Sequence, residues 1–212
     1  GKLAFSPKRF AATLADPLEP DPTRGRFMLA YPARSPDLAR FPAAGGGTLD
    51  LTQYRMEDRR EDFVTLVEAD HGGPGWTALA RQAEDDLVLV LKNPAELPIT
   101  MLWLSNGGRD YAPWSGRHLG VLGIEDGRAA VGHAASIGDN WLKREGVATA
   151  FALGEGRSFS FRHVIGAMPL SGGTPPREIT AAEGRMRLAA GGSSWDVPFD
   201  SDFLRIGRPV PA

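Results

Sequence analysis

Hydrophobic positions along the chain come in short runs, and nearly every run is cut off by Gly, Pro or Asn. Thr48 to Tyr54 alternates, with Leu49 and Leu51 on one face, and Asp62-Phe-Val-Thr-Leu-Val-Glu68 follows. His71-Gly-Gly-Pro-Gly75 reads as a turn ahead of Trp76 to Arg81. Asp86-Leu-Val-Leu-Val-Leu-Lys92 is apolar between its ends and stops at Asn93-Pro94. Pro98 to Leu104 and Leu119 to Ile124 then bracket a polar loop over residues 105–118. Runs this short, bounded by turn residues, predict strands rather than helices.

The two ends are less regular. Asp16-Pro-Leu-Glu-Pro-Asp-Pro-Thr23 cannot be regular structure, because its prolines remove donors and fix φ. Arg26 to Tyr31 predicts one short strand, and Pro32 to Gly47 a long surface loop ending in three glycines. Ala148 to Leu153 and Ser158 to Ile165 predict a hairpin across Gly154-Glu-Gly156, with Phe159, Phe161, His163 and Ile165 on one face. Arg185 to Ala190, Trp195 to Phe199 and Phe203 to Ile206 supply three last strands. Only Asp139 to Glu145 and Ala181 to Glu183 read as short helical turns. Many strands without alternating helices imply an all-β sandwich or barrel. One domain over residues 1–212 is expected: a loop-rich lead-in to residue 47, a core over 48–166 and closing strands over 167–212.

Composition agrees and closes off several classes. The chain has 26 Gly and 17 Pro, about a fifth of its 212 residues against ~12% in an average protein, yet 42% hydrophobic residues for a core. A net charge of −2 with no basic stripe argues against nucleic acid as a partner. No window approaches the ~18 apolar residues of a membrane span and no charged-then-apolar leader opens the chain, so a soluble, cytoplasmic protein is expected. There is no Cys, which removes disulfides, thiolate metal sites and Cys nucleophiles. The 20 Arg against 4 Lys fit recognition of carboxylates or hydroxyls by a rigid fork, but a GC-rich genome gives the same bias.

No G-x-S-x-G, H-E-x-x-H or Walker-type glycine loop occurs, and His71, His118, His133 and His163 lie too far apart for paired metal ligands. The chemistry is concentrated between Leu102 and Asp126. Asn106, Arg109, Asp110, Tyr111, Trp114, Arg117 and His118 share one loop between two apolar strands. Aromatic rings stack on the apolar faces of sugars, while Arg, Asn and carboxylates take the hydroxyls. Glu125 closes the following strand, and a carboxylate there must be paired, solvated or shifted upward in pKa. The residues alone leave two readings open for it: a working acid–base group, or a partner of Arg109 or Arg117 that holds the loop. Trp76 and Trp103 read as core, Trp195 as edge packing, His163 as a satisfied semi-buried histidine, and His71 and His133 as exposed. The charged run Glu57 to Asp62 reads as a solvated approach to a strand.

Trp103-Leu-Ser-Asn-Gly-Gly-Arg109, Pro113-Trp114, Gly116-Arg117-His118 and Gly123-Ile-Glu-Asp126 together resemble the aldose 1-epimerase-like branch of the galactose mutarotase superfamily. The resemblance covers roughly residues 57–166 and is strongest over 100–126. It implies an antiparallel β-supersandwich that interconverts sugar anomers, with a small-molecule sugar as partner and no metal or organic cofactor. Glu125, in Val121-Leu-Gly-Ile-Glu125, matches the family's catalytic base. Asp62 matches its hydroxyl-binding aspartate in context, and Asn140 falls where members often place an Asn. Trp114 would stack on the ring, with Arg117, Arg109 and Asn106 on hydroxyls. The family's acid histidine lies upstream of that aspartate, where residues 1–70 hold no His. Two expectations follow: the chain lacks N-terminal strands and pairs its open edge with another copy or a longer polypeptide, or the acid role is lost or moved, with His118 as stand-in. A chain that lost the acid would be a non-catalytic carbohydrate-binding or structural sandwich. Residues 105–118 with Glu125 are expected to line the principal concave pocket, the Trp114 ring facing its opening.

Overall fold

The structure, a computed structural model, describes residues 1–19, 21, 26–170 and 173–205. Its strands are β1 (Lys2–Phe5), β2 (Lys8–Thr13), β3 (Arg34–Ser35), β4 (Phe41–Pro42), β5 (Thr48–Leu49), β6 (Arg60–Glu68) and β7 (Gly75–Arg81). They continue as β8 (Asp86–Lys92), β9 (Ile99–Asn106), β10 (Val121–Gly127), β11 (His163–Pro169), β12 (Glu178–Ala182), β13 (Arg185–Ala190) and β14 (Ser193–Pro198). Two short helices, α1 (His133–Ile137) and α2 (Trp141–Arg144), interrupt them. The protein is all-β, with antiparallel sheets, as its pattern predicts. No helix among the described residues is long and apolar enough to cross a membrane.

The chain divides into two compact units. The first gathers Gly1–Leu3, Lys8–Val67 and Thr100–Glu125. Its main sheet has the order β10-β9-β6-β2-β3, and β4 and β5 form a separate ribbon. Because side chains alternate along a strand, Val64, Leu66, Leu102 and Leu104 face one way, and all four are buried with Leu29, Phe41 and Leu51. The opposite face carries the polar and aromatic positions described below.

The second unit gathers Ala4–Pro7, Glu68–Ile99 and Asp126–Ala212. It is a small sandwich. Trp76, Ala78 and Ala80 from β7, Leu87, Leu89 and Leu91 from β8, Ile179 from β12 and Met186 and Leu188 from β13 form one buried cluster between two sheets. In register, Trp76 faces Leu91 and Val164 of β11 continues the row, so each inward position meets another. At one end Lys92 is buried, and its ammonium reaches Glu68 at 3.0 Å, Asp126 at 2.8 Å and the Ile99 carbonyl at 2.6 Å. An ammonium has three N–H donors, and these three acceptors take all of them.

Several local expectations fail for identifiable reasons. Residues 148–162 form no ladder; the predicted hairpin reduces to a stack of Phe151 on Phe159 at 4.5 Å, both exposed. Leu153 and Phe161 are exposed too, so the alternation has no buried face to hold a register. Ala181 to Glu183 is not helical: Glu183 (φ 53°) and Gly184 (φ 75°) are the two-residue turn of the β12–β13 hairpin. Arg26 to Tyr31 has a single bridge, Leu29 to Ala43, rather than a strand, and of Thr48 to Tyr54 only two residues are extended. Phe203–Arg205 is a 3-10 turn rather than a strand, and Ile206 lies outside the described residues. So do Pro20, Pro22 and Thr23 of the proline-rich segment, whose described residues show no regular structure. Trp141–Arg144 is the short helix expected there.

Replacing Lys92 by Met should leave Glu68 and Asp126 buried without their cation. The expected cost is about 3–5 kcal/mol, read as a lowered urea midpoint; an unchanged midpoint would show that the ammonium contributes nothing net.

Candidate functional site

The loop after β9 owes its shape to the end of that strand. Gly108 passes so close to β6 that a Cβ there would sit 2.2 Å from the Arg60 carbonyl carbon, which only glycine tolerates. The chain then turns out and returns: the Gly107 N–H donates to the His118 carbonyl at 2.7 Å, and Gly116 N–H to the Arg109 carbonyl at 2.8 Å. Asn106 closes the base, donating to the Met56 and Asp58 carbonyls and accepting from the Gly120 N–H. Asp110 ties the outside to Arg26 at 3.0 Å. The result is a compact surface loop held by its own backbone bonds and by ties to Met56, Asp58 and Arg26.

Under this loop lies a buried carboxylate. Glu61, in β6, accepts from the Trp103 indole N–H at 2.5 Å and from the Ser105 hydroxyl at 2.7 Å. Arg109 stands 3.5 Å away from it, its guanidinium 4.7 Å from the Trp114 ring centroid. Cation–π contact of this kind orients a guanidinium as well as stabilising it. The His118 ring lies 5.2 Å from the Trp103 ring and 5.7 Å from the Trp114 ring, with Nδ1 2.6 Å from the Ser105 hydroxyl. Its Nε2 has no protein partner among the described residues. Arg109 Nε makes no hydrogen bond either.

Glu125 stands on the same face, further along. A Cβ built on Gly123 would lie 3.0 Å from Glu125 Oε1 and 3.1 Å from Trp103 Cβ, so the carboxylate hangs over the glycine beside the indole. It forms no ion pair with Arg109 or Arg117. Partial burial pushes its pKa above the ordinary carboxylate value. A carboxylate that is accessible, unpaired and raised in pKa is equipped to take and return protons.

The structure thus brings together His118, Arg109 and Trp114, with Glu125 beside Trp103. It does not bring Asp62 to them. Asp62 is fully buried on the opposite face of β6, accepting from the Met28 and Leu29 N–H groups, the Tyr31 hydroxyl and Arg60. Desolvation and this carboxylate keep the Tyr31 phenol protonated far beyond its ordinary range. Asn106 is spent on the loop base, and Arg117 is exposed and donates to the Pro113 and Trp114 carbonyls. Asn140 caps α2 and donates to Thr149 within the second unit. The charged run is a solvated approach only over its first half: Glu57 and Arg59 are exposed and Asp58 half-buried, whereas Arg60, Glu61 and Asp62 are all buried. Glu61, Ser105 and Trp103 were not legible as site residues, though their odd-numbered alternation with Phe63 and Met101 marks a common face.

A groove of about 1070 Å³ lies in the second unit, lined by Glu68, His71, Trp76, Pro94, Arg177 and Leu204 among others. Neither residues 105–118 nor Glu125 line it. Their surface is a sheet face roofed by a loop. Trp76 and His163 are as expected, one core, the other semi-buried on Asp126. Among the described residues no three His, Asp or Glu side chains stand together as a metal site. Comparison of the chain with protein-family models, curated proteins and solved structures gives no match.

Asp62→Ala should cost about 3–5 kcal/mol in urea unfolding, since it strands Arg60 and two backbone N–H groups in the interior. A loss below 1 kcal/mol would contradict the structural role assigned to that carboxylate.

Proposed function

We propose that the chain is a carbohydrate-active isomerase resembling aldose 1-epimerase, interconverting anomers by acid–base ring opening. The observation that carries this reading is Glu125: an unpaired carboxylate, raised in pKa by burial, beside Trp103 on the face that also presents His118 and Trp114. Indole faces suit the apolar side of a pyranose, and the Arg109 guanidinium beside Trp114 is of the donor type that takes a hydroxyl.

The chemistry asks little of the protein. Glu125 takes the proton of the anomeric hydroxyl while His118 protonates the ring oxygen, and the C1–O5 bond breaks to give the open aldehyde. Rotation about C1–C2 presents the other carbonyl face, and as the ring closes Glu125 gives its proton to the carbonyl oxygen while His118 takes back the proton of the O5 hydroxyl. Each proton transfer is worth ~10²–10⁴-fold. The role of His118 is supported by its free Nε2 and its place between two indoles.

One observation favours the second reading, a non-catalytic carbohydrate-binding module: Asp62, the residue that the resemblance assigns to hydroxyls, is sealed in the interior. Proton exchange spectroscopy on dissolved aldoses separates the two. An isomerase transfers magnetisation between α and β anomeric protons faster than heat-inactivated protein; a module shifts sugar resonances without doing so.

In the isomerase, Glu125→Gln should slow anomer exchange at least ~100-fold while preserving the fold. The wild-type rate should fall as pH drops through the Glu125 pKa, an acid limb displaced above the ordinary carboxylate range because the base must be ionised. Full activity in Glu125→Gln would remove that residue from the mechanism.

A further inference from the structure

We propose that Glu61 and Ser105 are positioning residues that lock His118 in its Nδ1–H tautomer and so aim Nε2 outward as the group exchanging a proton with the oxygen of a bound sugar. The catalytic part of this statement rests on the aldose reading; the tautomer does not.

The tautomer follows from a count of protons. A serine hydroxyl has one hydrogen to give and lone pairs to accept with. Ser105 Oγ lies 2.7 Å from Glu61 Oε2 and 2.6 Å from His118 Nδ1, and both Glu61 and Ser105 are buried from solvent. A carboxylate can only accept, and this one already receives the Trp103 N–H on its other oxygen, with Arg109 close by. The single Ser105 proton therefore points at Glu61. Two lone pairs facing each other at 2.6 Å would repel, so His118 Nδ1 must carry the hydrogen of the second bond.

The rest of the ring is held as firmly. Trp103 and Trp114 lie 5.2 and 5.7 Å from it, and the His118 carbonyl accepts from Gly107. Only the Nε2 edge is uncommitted. When Nε2–H gives its proton to the ring oxygen as C1–O5 breaks, the imidazole is left as the Nδ1–H form that Ser105 already binds. No internal proton shift is needed before Nε2 takes the proton back on ring closure.

Nitrogen-15 spectroscopy of the neutral His118 ring tests this in the intact chain. Wild type should show Nδ1 protonated. Ser105→Ala removes the acceptor and should move the ring toward Nε2–H, whereas Ser105→Thr keeps the hydroxyl and should keep Nδ1–H. Glu61→Met is the sharper variant: Ser105, deprived of its carboxylate, turns its proton onto Nδ1 and should flip His118 to Nε2–H with Ser105 untouched. Anomer exchange in Ser105→Ala should lose ~10–100-fold in kcat with KM little changed. An Nε2–H ring in folded wild type, or Nδ1–H persisting in folded Glu61→Met, overturns the relay whatever the activity. Should the variants not fold, the wild-type spectrum decides alone. An Nδ1–H ring without anomer exchange in wild type upholds the relay and defeats the aldose reading instead.

Discussion

A carboxylate taken out of water needs donors converging on it, or the strand that carries it will not stay in the sheet. Strand β6 meets this demand twice in succession, with Glu61 toward one face and Asp62 toward the other. Each effective desolvation runs to several kcal/mol, so the groups that answer the two carboxylates cannot be arbitrary. Asp62 recruits the backbone of Met28 and Leu29, which fixes a segment that has almost no ladder of its own. Glu61 recruits Trp103, Ser105 and Arg109, and through them the return limb of the loop with His118. The same two residues thus anchor the first unit's core side and organise its polar side.

The second unit solves the inverse problem. Lys92 is a buried cation answered by two carboxylates and a carbonyl, and Asp126 passes the contact on to His163. All three Lys92 N–H donors are matched, which makes it a structural network. In the Glu61 cluster two nitrogens make no hydrogen bond, Arg109 Nε in the interior and His118 Nε2 beside two indole rings. Uncommitted polar atoms in an otherwise saturated cluster are what a polar ligand would satisfy.

Strands β6 to β10 were legible because each is a short apolar or alternating run between turn residues. The loop over residues 105–118 was legible as the place where polar and aromatic chemistry gathers. What the residues could not tell was which of two neighbouring acids faces it. Glu61 and Asp62 differ by one position, and a one-residue step exchanges the faces of a strand. The Gly107-Gly108 crossing, which brings the loop over the Glu61 side, is a matter of backbone proximity that spacing does not encode. The predicted 148–165 hairpin erred in the opposite sense, because alternation specifies a strand only where one face is covered, and Phe151, Phe159 and Phe161 remain exposed.

The five tryptophans offer the most direct test of whether a sugar binds and where. Their indole N–H resonances, assigned one by one, can be followed during titration with a panel of aldoses. Trp103 and Trp114 should move together, Trp103 most because its N–H is held by Glu61, while Trp76, Trp141 and Trp195 stay in place. Movement confined to Trp76, at the groove of the second unit, or none at saturating sugar, would contradict the assignment of the β6–β9–β10 face as the carbohydrate site.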